Sequence, residues 1–234
     1  MTTNQAVPEP SSASSPSAIN DQPSTAVIVF GASGHAKVVI DIIEREGRLS
    51  IPFLVDDDLS LKGTEVYGYR VAGDRHDLLS LREEYGVDRV IVGIGSNRAR
   101  LKVASWLTES GFSLGTAVHP SAQVARGVTI GAGTVVMAGA VINSDTVIGE
   151  HVIVNTGATV DHDCRIGNGV HLAPGSILCG TVTVGEGCFV GAGGVIIPNL
   201  TLGTNVIVGA GATVVKDVPD GVMVVGTPAR VVDR

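Results

Sequence analysis

The chain has 234 residues, a formal net charge of −7, 44% apolar residues and only 3% aromatic ones. The acid excess excludes a general nucleic-acid binder, which needs clustered Lys and Arg against phosphate. The 31 glycines follow no G-X-Y triplet, which excludes collagen, and no window reaches the ~20 apolar residues of a membrane span.

Three cysteines, Cys164, Cys179 and Cys188, are an odd number without CxxC spacing. That argues against a disulfide framework or a cysteine zinc site and predicts a reducing, cytoplasmic setting. The N-terminus shows no basic region followed by an apolar stretch. Residues 1–24, rich in Ser, Pro, Ala and Thr, are expected to form a disordered tail.

Residues 25–117 alternate apolar runs with helical patterns. Ala26–Phe30 predicts a buried strand, Gly31-Ala32-Ser33-Gly34 a turn, and the stretch from Lys37 to Glu44 a helix. Phe53–Val55 predicts a second strand closed by Asp56-Asp57-Asp58. Residues 74–85 are helical in pattern, Arg89–Gly95 predicts a third strand, and 97–110 another helix. Strands alternating with helices imply a small parallel sheet covered by helices, a Rossmann-like domain.

Residues 118–234 follow another rule. Stepping by six from Val118 to Val214 meets seventeen positions, all Val, Ile or Leu. Composition alone would produce this on the order of once in 10⁸. The residue four places later is usually small or Val, as at Thr134, Ala140, Thr146, Ala158 and Cys164. Gly131, Gly149, Gly167, Gly185 and Gly203 add a period of 18, three hexads. The simplest object with that symmetry is a triangular prism with one hexad per side. Five to six coils at the ordinary interstrand spacing give a height of about 26 Å. The recurring glycine is expected at a corner that needs unusual dihedrals.

These hexads resemble the bacterial hexapeptide-repeat acyltransferases, a likeness that implies a left-handed parallel β-helix. The ending Val218-Pro219-Asp220-Gly221 through Val225-Gly226-Thr227-Pro228-Ala229 resembles their exit from the helix. Phe30-Gly31-Ala32-Ser33-Gly34-His35, the Asp56-Asp57 pair and Gly93-Ile94-Gly95-Ser96-Asn97 with Arg100 narrow the likeness. They resemble the sugar acetyltransferases of the bacillosamine and sialic acid O-acetyltransferase type. The resemblance covers residues 26–232.

Several residues carry candidate chemistry. His162 and Asp163 fall at the third and fourth hexad positions, outside the prism or on its corner. The resemblance makes His162 the general base and Asp163 its orienting acid, with Asp161 a weaker candidate. A histidine near pKa 6.5 suits removal of a proton from a sugar ammonium. The resemblance also puts His171 beside the thioester of acetyl-CoA, and the Gly180 N–H near its oxygen. As a residue in an outward position, His171 could otherwise be a plain surface histidine. Asn155 is a substrate contact or a structural Asn.

Gly31, Ser33, Gly34 and His35 form a strand-to-helix loop whose free N–H groups suit a phosphate, though a tight turn needs glycine anyway. Asp56 and Asp57 are candidates for a ribose or base edge, and Asn97 for a further substrate contact. Arg100 is either a helper or a helix-surface charge. Lys216 and Arg230, at the helix exit, are assigned to the phosphates of coenzyme A. Cys164 and Cys188 occupy the small inward position and read as core.

The resemblance implies acetyl-CoA-dependent N-acetylation of a nucleotide-linked 4-amino-6-deoxy sugar, UDP-linked, by a homotrimer, and no metal is expected. O-acetylation of sialic acid is the alternative. A hexapeptide carbonic anhydrase would need a three-histidine zinc site. The spacing of His151, His162 and His171 puts His162 on a different side of the coil from the other two, against a shared cluster. A non-enzymatic scaffold would leave the His162 segment and the nucleotide-like loop unexplained.

Overall fold

In the computed structural model, residues 25–232 are described. The tail expected over residues 1–24 lies outside them. The N-terminal part holds β1 (Ile28–Phe30), α1 (Gly34–Glu46), β2 (Leu54–Val55), β3 (Glu65–Val66), β4 (Tyr69–Gly73), α2 (Leu78–Tyr85), β5 (Arg89–Val92), α3 (Asn97–Glu109) and β6 (Ser113–Leu114). The strand order is β3-β4-β2-β1-β5-β6, parallel except for the β3–β4 hairpin. Because β1 comes first in the chain and lies between β2 and β5, the C-terminal ends of these three strands meet at a topological switch point. The β3–β4 hairpin, the short β6 and a separate parallel pair of Thr25–Ala26 with Leu49–Ser50 are the additions to the strands read from sequence.

From Ala117 onward every hexad contributes one two-residue strand. Each strand pairs in parallel with the strand 18 residues on, as Val135 does with Ile153 and Ile153 with His171. Three ladders result. The first side carries Ala117–Val118, Val135–Val136, Ile153–Val154, His171–Leu172, Phe189–Val190 and Ile207–Val208. The second runs from Gln123–Val124 to Thr213–Val214, and the third from Thr129–Ile130 to Thr201–Leu202. The stepped aliphatic residues line the interior, with Val136, Val154, Leu172, Val190 and Val208 among its buried members. A core without rings is what a narrow prism admits.

The glycine expectation needs correcting. Positive φ occurs at every sixth residue from Gly127 to Gly211, which is the fourth hexad position, and it includes Asp145, His151, Asp163, Thr181, Asn199 and Asn205. Asn and Asp tolerate this left-handed region better than other side chains. Gly131, Gly149, Gly167, Gly185 and Gly203 are not among these corners. They are glycine for space: a Cβ on Gly131 would lie 2.5 Å from the carbonyl carbon of Gly149, and one on Gly185 2.5 Å from the Gly203 oxygen.

Inward polar side chains are matched to turn carbonyls. Thr146 Oγ1 donates to the Asp161 oxygen at 2.8 Å and accepts from the Cys164 N–H at 3.2 Å. Cys164 Sγ donates to the Cys179 oxygen, and Cys188 Sγ to the Gly203 oxygen. The thiols thus do what the threonine hydroxyls do elsewhere, at the same hexad position, and both cysteines are buried as expected. Among the described residues no helix is long and apolar enough to cross a membrane.

The two parts share a core. Val135, Met137 and Ile153, on the outer face of the first side, pack with Val39, Ile42 and Ile43 of α1. The N-terminal domain therefore covers the first side, and α3 reaches the corner between the third and first sides.

Candidate active site

Three loops converge at the switch point. After β1, Gly31 has φ +123°, and a Cβ there would lie 2.8 Å from the Gly93 oxygen, so conformation and space both demand glycine. Ser33 precedes α1 in an extended conformation without a side-chain capping bond, and it is exposed together with Gly34. The first turn of α1 itself holds no acidic residue, which suits an anion at its N–H groups.

The acids after β2 are engaged within the domain. Asp56 accepts the Ala32 N–H at 2.7 Å and the Asp58 N–H at 2.9 Å, bracing the glycine loop. Asp57 is paired with Arg75, which holds its carboxyl below the usual range. The Arg75 guanidinium in turn lies 5.3 Å from the Trp106 ring centroid. The ribose or base contacts expected of these two carboxylates would have to compete with these partners.

The loop after β5 gives Asn97 a structural duty and corrects one reading of Arg100. Asn97 Nδ2 donates to the Gly187 and Cys188 oxygens at 3.1 and 3.0 Å, so Asn97 ties the domain to the β-helix. Arg100 is not a surface charge: it is 1% exposed. No sequence pattern announced this, because what covers α3 lies 50 to 90 residues away.

His171 is likewise not a surface residue. It is buried under the N-terminal domain, with Nδ1 3.2 Å from the Gly95 oxygen and Nε2 3.1 Å from Asn155 Nδ2. Nδ1 therefore donates and Nε2 accepts, a neutral tautomer. Burial first, then the nearby Arg100 charge, push its pKa down to about 4. His35, whose ring centroid is 6.4 Å away, is pushed down to about 4 by the same causes, and its buried Nε2 has no partner. His35, Asn155 and His171 thus come together at the domain junction. Beside them a cleft of about 580 Å³ is lined by Gly95, Leu101, Phe189 and Ile207 among others.

His162 lies elsewhere, on the corner between the second and third sides. Its side chain is 56% exposed, with Nδ1 2.8 Å from Asp163 Oδ2. Asp161 Oδ1 accepts the His162 main-chain N–H at 2.8 Å and the Asn143 amide at 2.8 Å. The geometry puts Asp163, not Asp161, on the ring. The hydrogen bond that Nδ1–H donates to Asp163, and then the Asp161 charge, raise the His162 pKa above its ordinary value. One coil on, Gly180 sits directly over the ring: a Cβ there would be 2.7 Å from His162 Nε2. Lys216 and Arg230 flank a smaller cleft of about 240 Å³ at the helix exit. His151, His162 and His171 do not gather into one cluster within the chain, since His151 lies on the corner between the third and first sides.

A hexapeptide β-helix with an exposed His–Asp pair, joined to a domain whose loops suit a nucleotide, defines an acyltransferase acting on a nucleotide-bearing acceptor. Residues 26–107 match the family model described as PglD N-terminal domain, and residues 145–180 the bacterial transferase hexapeptide model of six repeats. No curated protein matches the chain. Among solved structures, the chain resembles PerB from Caulobacter crescentus, solved in complex with CoA and GDP-perosamine. Identity is 46%, coverage 89% of this chain and 97% of that one, and the TM-score 0.84. The acetyltransferase domain of PglB from Neisseria gonorrhoeae in complex with acetyl coenzyme A is 37% identical, covers 89% and 99%, and has TM-score 0.80. WeeI from Acinetobacter baumannii is 30% identical, covers 88% and 99%, and has TM-score 0.78. The chain belongs to the PglD-type hexapeptide-repeat sugar N-acetyltransferase family. It is an acetyl-CoA-dependent amino-sugar N-acetyltransferase.

Proposed function

We propose that this enzyme acetylates the free amine of a nucleotide-linked 4-amino-6-deoxy sugar at a site shared between two subunits of a homotrimer. The observation that carries this reading is a separation. The loops proposed for the nucleotide, Gly31–His35 and Gly93–Asn97, lie over the first side of the prism, whereas His162 and Asp163 stand on the opposite edge. That separation favours two chains meeting at one acceptor. In a trimer of prisms packed about an axis, the edge of one would lie beside the domain junction of the next, at the 580 Å³ cleft lined by Gly95, Leu101 and Phe189.

In this arrangement the loop N–H groups hold the diphosphate, and His162 of one subunit takes the ammonium proton of the sugar bound by its neighbour. The amine attacks the acetyl-CoA thioester carbonyl directly, and collapse of the tetrahedral adduct breaks the C–S bond and expels coenzyme A thiolate, which takes up the proton that the new amide nitrogen sheds. The Gly180 N–H, which makes no hydrogen bond among the described residues, stabilises the oxyanion. The apolar cleft suits the pantetheine arm, with neutral His171 at its inner end, while Lys216 and Arg230 meet the coenzyme phosphates. The UDP-linked acceptor is an expectation of the family resemblance. The 46% identical relative was solved with GDP-perosamine, so a GDP-linked acceptor is the first to assay and a UDP-linked one the second. No metal is assigned a role.

Subunit complementation tests this reading. His162→Ala should be inactive, and so should Gly34→Asp, whose Cβ meets nothing within 4 Å but whose carboxylate opposes a phosphate. Co-expressed and randomly mixed, the two should recover about a quarter of wild-type activity, because that share of interfaces pairs an intact loop with an intact histidine. No recovery from mixed trimers of verified composition would show that each chain completes its own site. A chromatographic mass matching a monomer would sink the trimer.

A further inference from the structure

Arg100 is the largest fully buried side chain in the molecule, and among the described residues no carboxylate pairs with it. All five of its N–H donors are nevertheless used. Nε donates to the His151 oxygen at 2.8 Å, and Nη2 to the Gly169 oxygen at 2.9 Å and Asn97 Oδ1 at 3.0 Å. Nη1 donates to the Ile94 and Gly95 oxygens at 3.3 and 3.1 Å. Two of these acceptors are corner carbonyls of successive coils of the β-helix, and the rest belong to the loop after β5.

A buried guanidinium held by carbonyl dipoles alone is a costly way to fasten two domains. Its contacts show what the fastening controls. The Gly95 oxygen it binds also receives His171 Nδ1–H. The same strip of chain abuts the glycine loop, since a Cβ on Gly93 would lie 3.0 Å from Ala36 Cα, and one on Gly31 2.8 Å from the Gly93 oxygen. A rigid path therefore runs from the coil corners through Arg100 to loop 93–97 and on to loop 31–35.

We infer that Arg100 is a positioning residue for acetyl transfer, clamping loop 93–97 onto the β-helix and so setting the shape and the charge of the pocket between the two domains. The inference rests on reading these loops as the nucleotide-sugar site. The charge acts on the histidines there: Arg100 disfavours protonation of His171, His35 and His151. The other titratable group facing this cluster is Glu150, 3.9 Å from His151 Nε2 on the corner side. A neutral His171 keeps Nε2 available as an acceptor beside Asn155.

The test uses the full-length enzyme with Arg100→Lys and Arg100→Met, assayed well below each variant's melting temperature. Arg100→Lys keeps the charge and loses the fork. Its kcat/KM should fall by about 10²-fold, the usual effect of a misplaced binding loop, while the His35 and His171 titrations, read by NMR, stay low. Arg100→Met should show the same loss and move both titrations upward. A folded Arg100→Lys with wild-type kcat/KM, or an Arg100→Met whose histidines titrate as before, would overturn the inference. If Arg100→Met does not fold, Arg100→Lys decides alone through kcat/KM. Calorimetry with GDP and UDP on Gly34→Asp separates the two readings. Unchanged diphosphate affinity there would refute the nucleotide site, while the histidine titrations still judge Arg100.

Discussion

At the scale of single residues, the proposed base His162 is held by two carboxylates with different duties, and the expected effects of replacing these residues follow from that proposal. Asp163 holds the ring, and Asp161 holds the backbone beneath it. Asp163 can do so because it occupies the left-handed corner, φ +58°, which turns its side chain back toward the preceding residue. Replacing His162 with Ala should lower kcat by roughly 10² to 10⁴ and change substrate affinities little, because a base acts mainly in the transition state. Asp163→Asn should cost less and move the acidic limb of the pH–kcat profile downward. The sign follows from the raised His162 pKa: the neutral imidazole is the active form, and removing the carboxylate lets it form at lower pH. A limb that moves upward, or stays in place, would mean that Asp163 does not govern the ring. Higher pH should partly rescue His162→Ala with an amine acceptor and hardly at all with a hydroxyl, which distinguishes N- from O-acetylation.

These two residues were legible because hexad arithmetic states which positions leave the prism, and the family likeness supplied their roles. For His171 the same arithmetic leaves open a plain surface histidine beside the role the likeness implies, and burial removes that alternative. The ring does point out of the prism, but the N-terminal domain covers it. The burial of Arg100, a residue left open between a helper and a surface charge, was hidden for the same reason, since an arginine on a helix carries no local mark of burial.

At the scale of the coil, two kinds of glycine answer to two kinds of strain. Gly157 has φ +65° and open space around its missing Cβ. Gly157→Ala should therefore cost only the left-handed penalty, roughly 1–2 kcal/mol, and Gly157→Asn less. Gly185 lacks the unusual φ but faces the backbone of the next coil, with the Gly203 oxygen 2.5 Å and the Thr204 nitrogen 2.8 Å from a would-be Cβ. Backbone cannot rotate aside as a side chain can, so Gly185→Ala should cost about 3 kcal/mol or more. Urea midpoints of the two variants check the order, and equal midpoints would refute this account of the 18-residue glycine. The period itself was plain in sequence. Its cause was not, because a close approach between coils is a contact across a rung and leaves no trace in the local pattern.

For the whole molecule, the buried histidines make the domain junction sensitive to acid. His35 and His171 have folded pKa values of about 4, against 6.5 for the ordinary side chain. The unfolded chain then binds more protons between those values, so their contribution to stability is complete above pH 6.5 and is lost as pH falls through 4. His162 has the opposite sign, its contribution being present below pH 6.5 and lost as pH rises through its raised value. Melting temperatures should therefore drop from pH 7 to pH 4.5, and hydrogen exchange should report early opening around Gly95 and the first side. A His35→Gln, His171→Gln double variant should flatten that drop. A drop of undiminished size would place the acid sensitivity in other groups.

The sequence by itself determined the prism, its three sides, its rise and its outward corners, because a β-helix is built from short-range repetition and each rung repeats the last. It also determined the strand–turn–helix at Gly31, where local conformation and family likeness agree. The tertiary structure alone decided which side the N-terminal domain covers, and with it the burial of Arg100, the tautomer of His171 and the separation of the nucleotide loops from His162. Those depend on contacts between residues 50 to 90 positions apart, where the favoured face is chosen by shape and by unpaired backbone carbonyls rather than by any period in the chain.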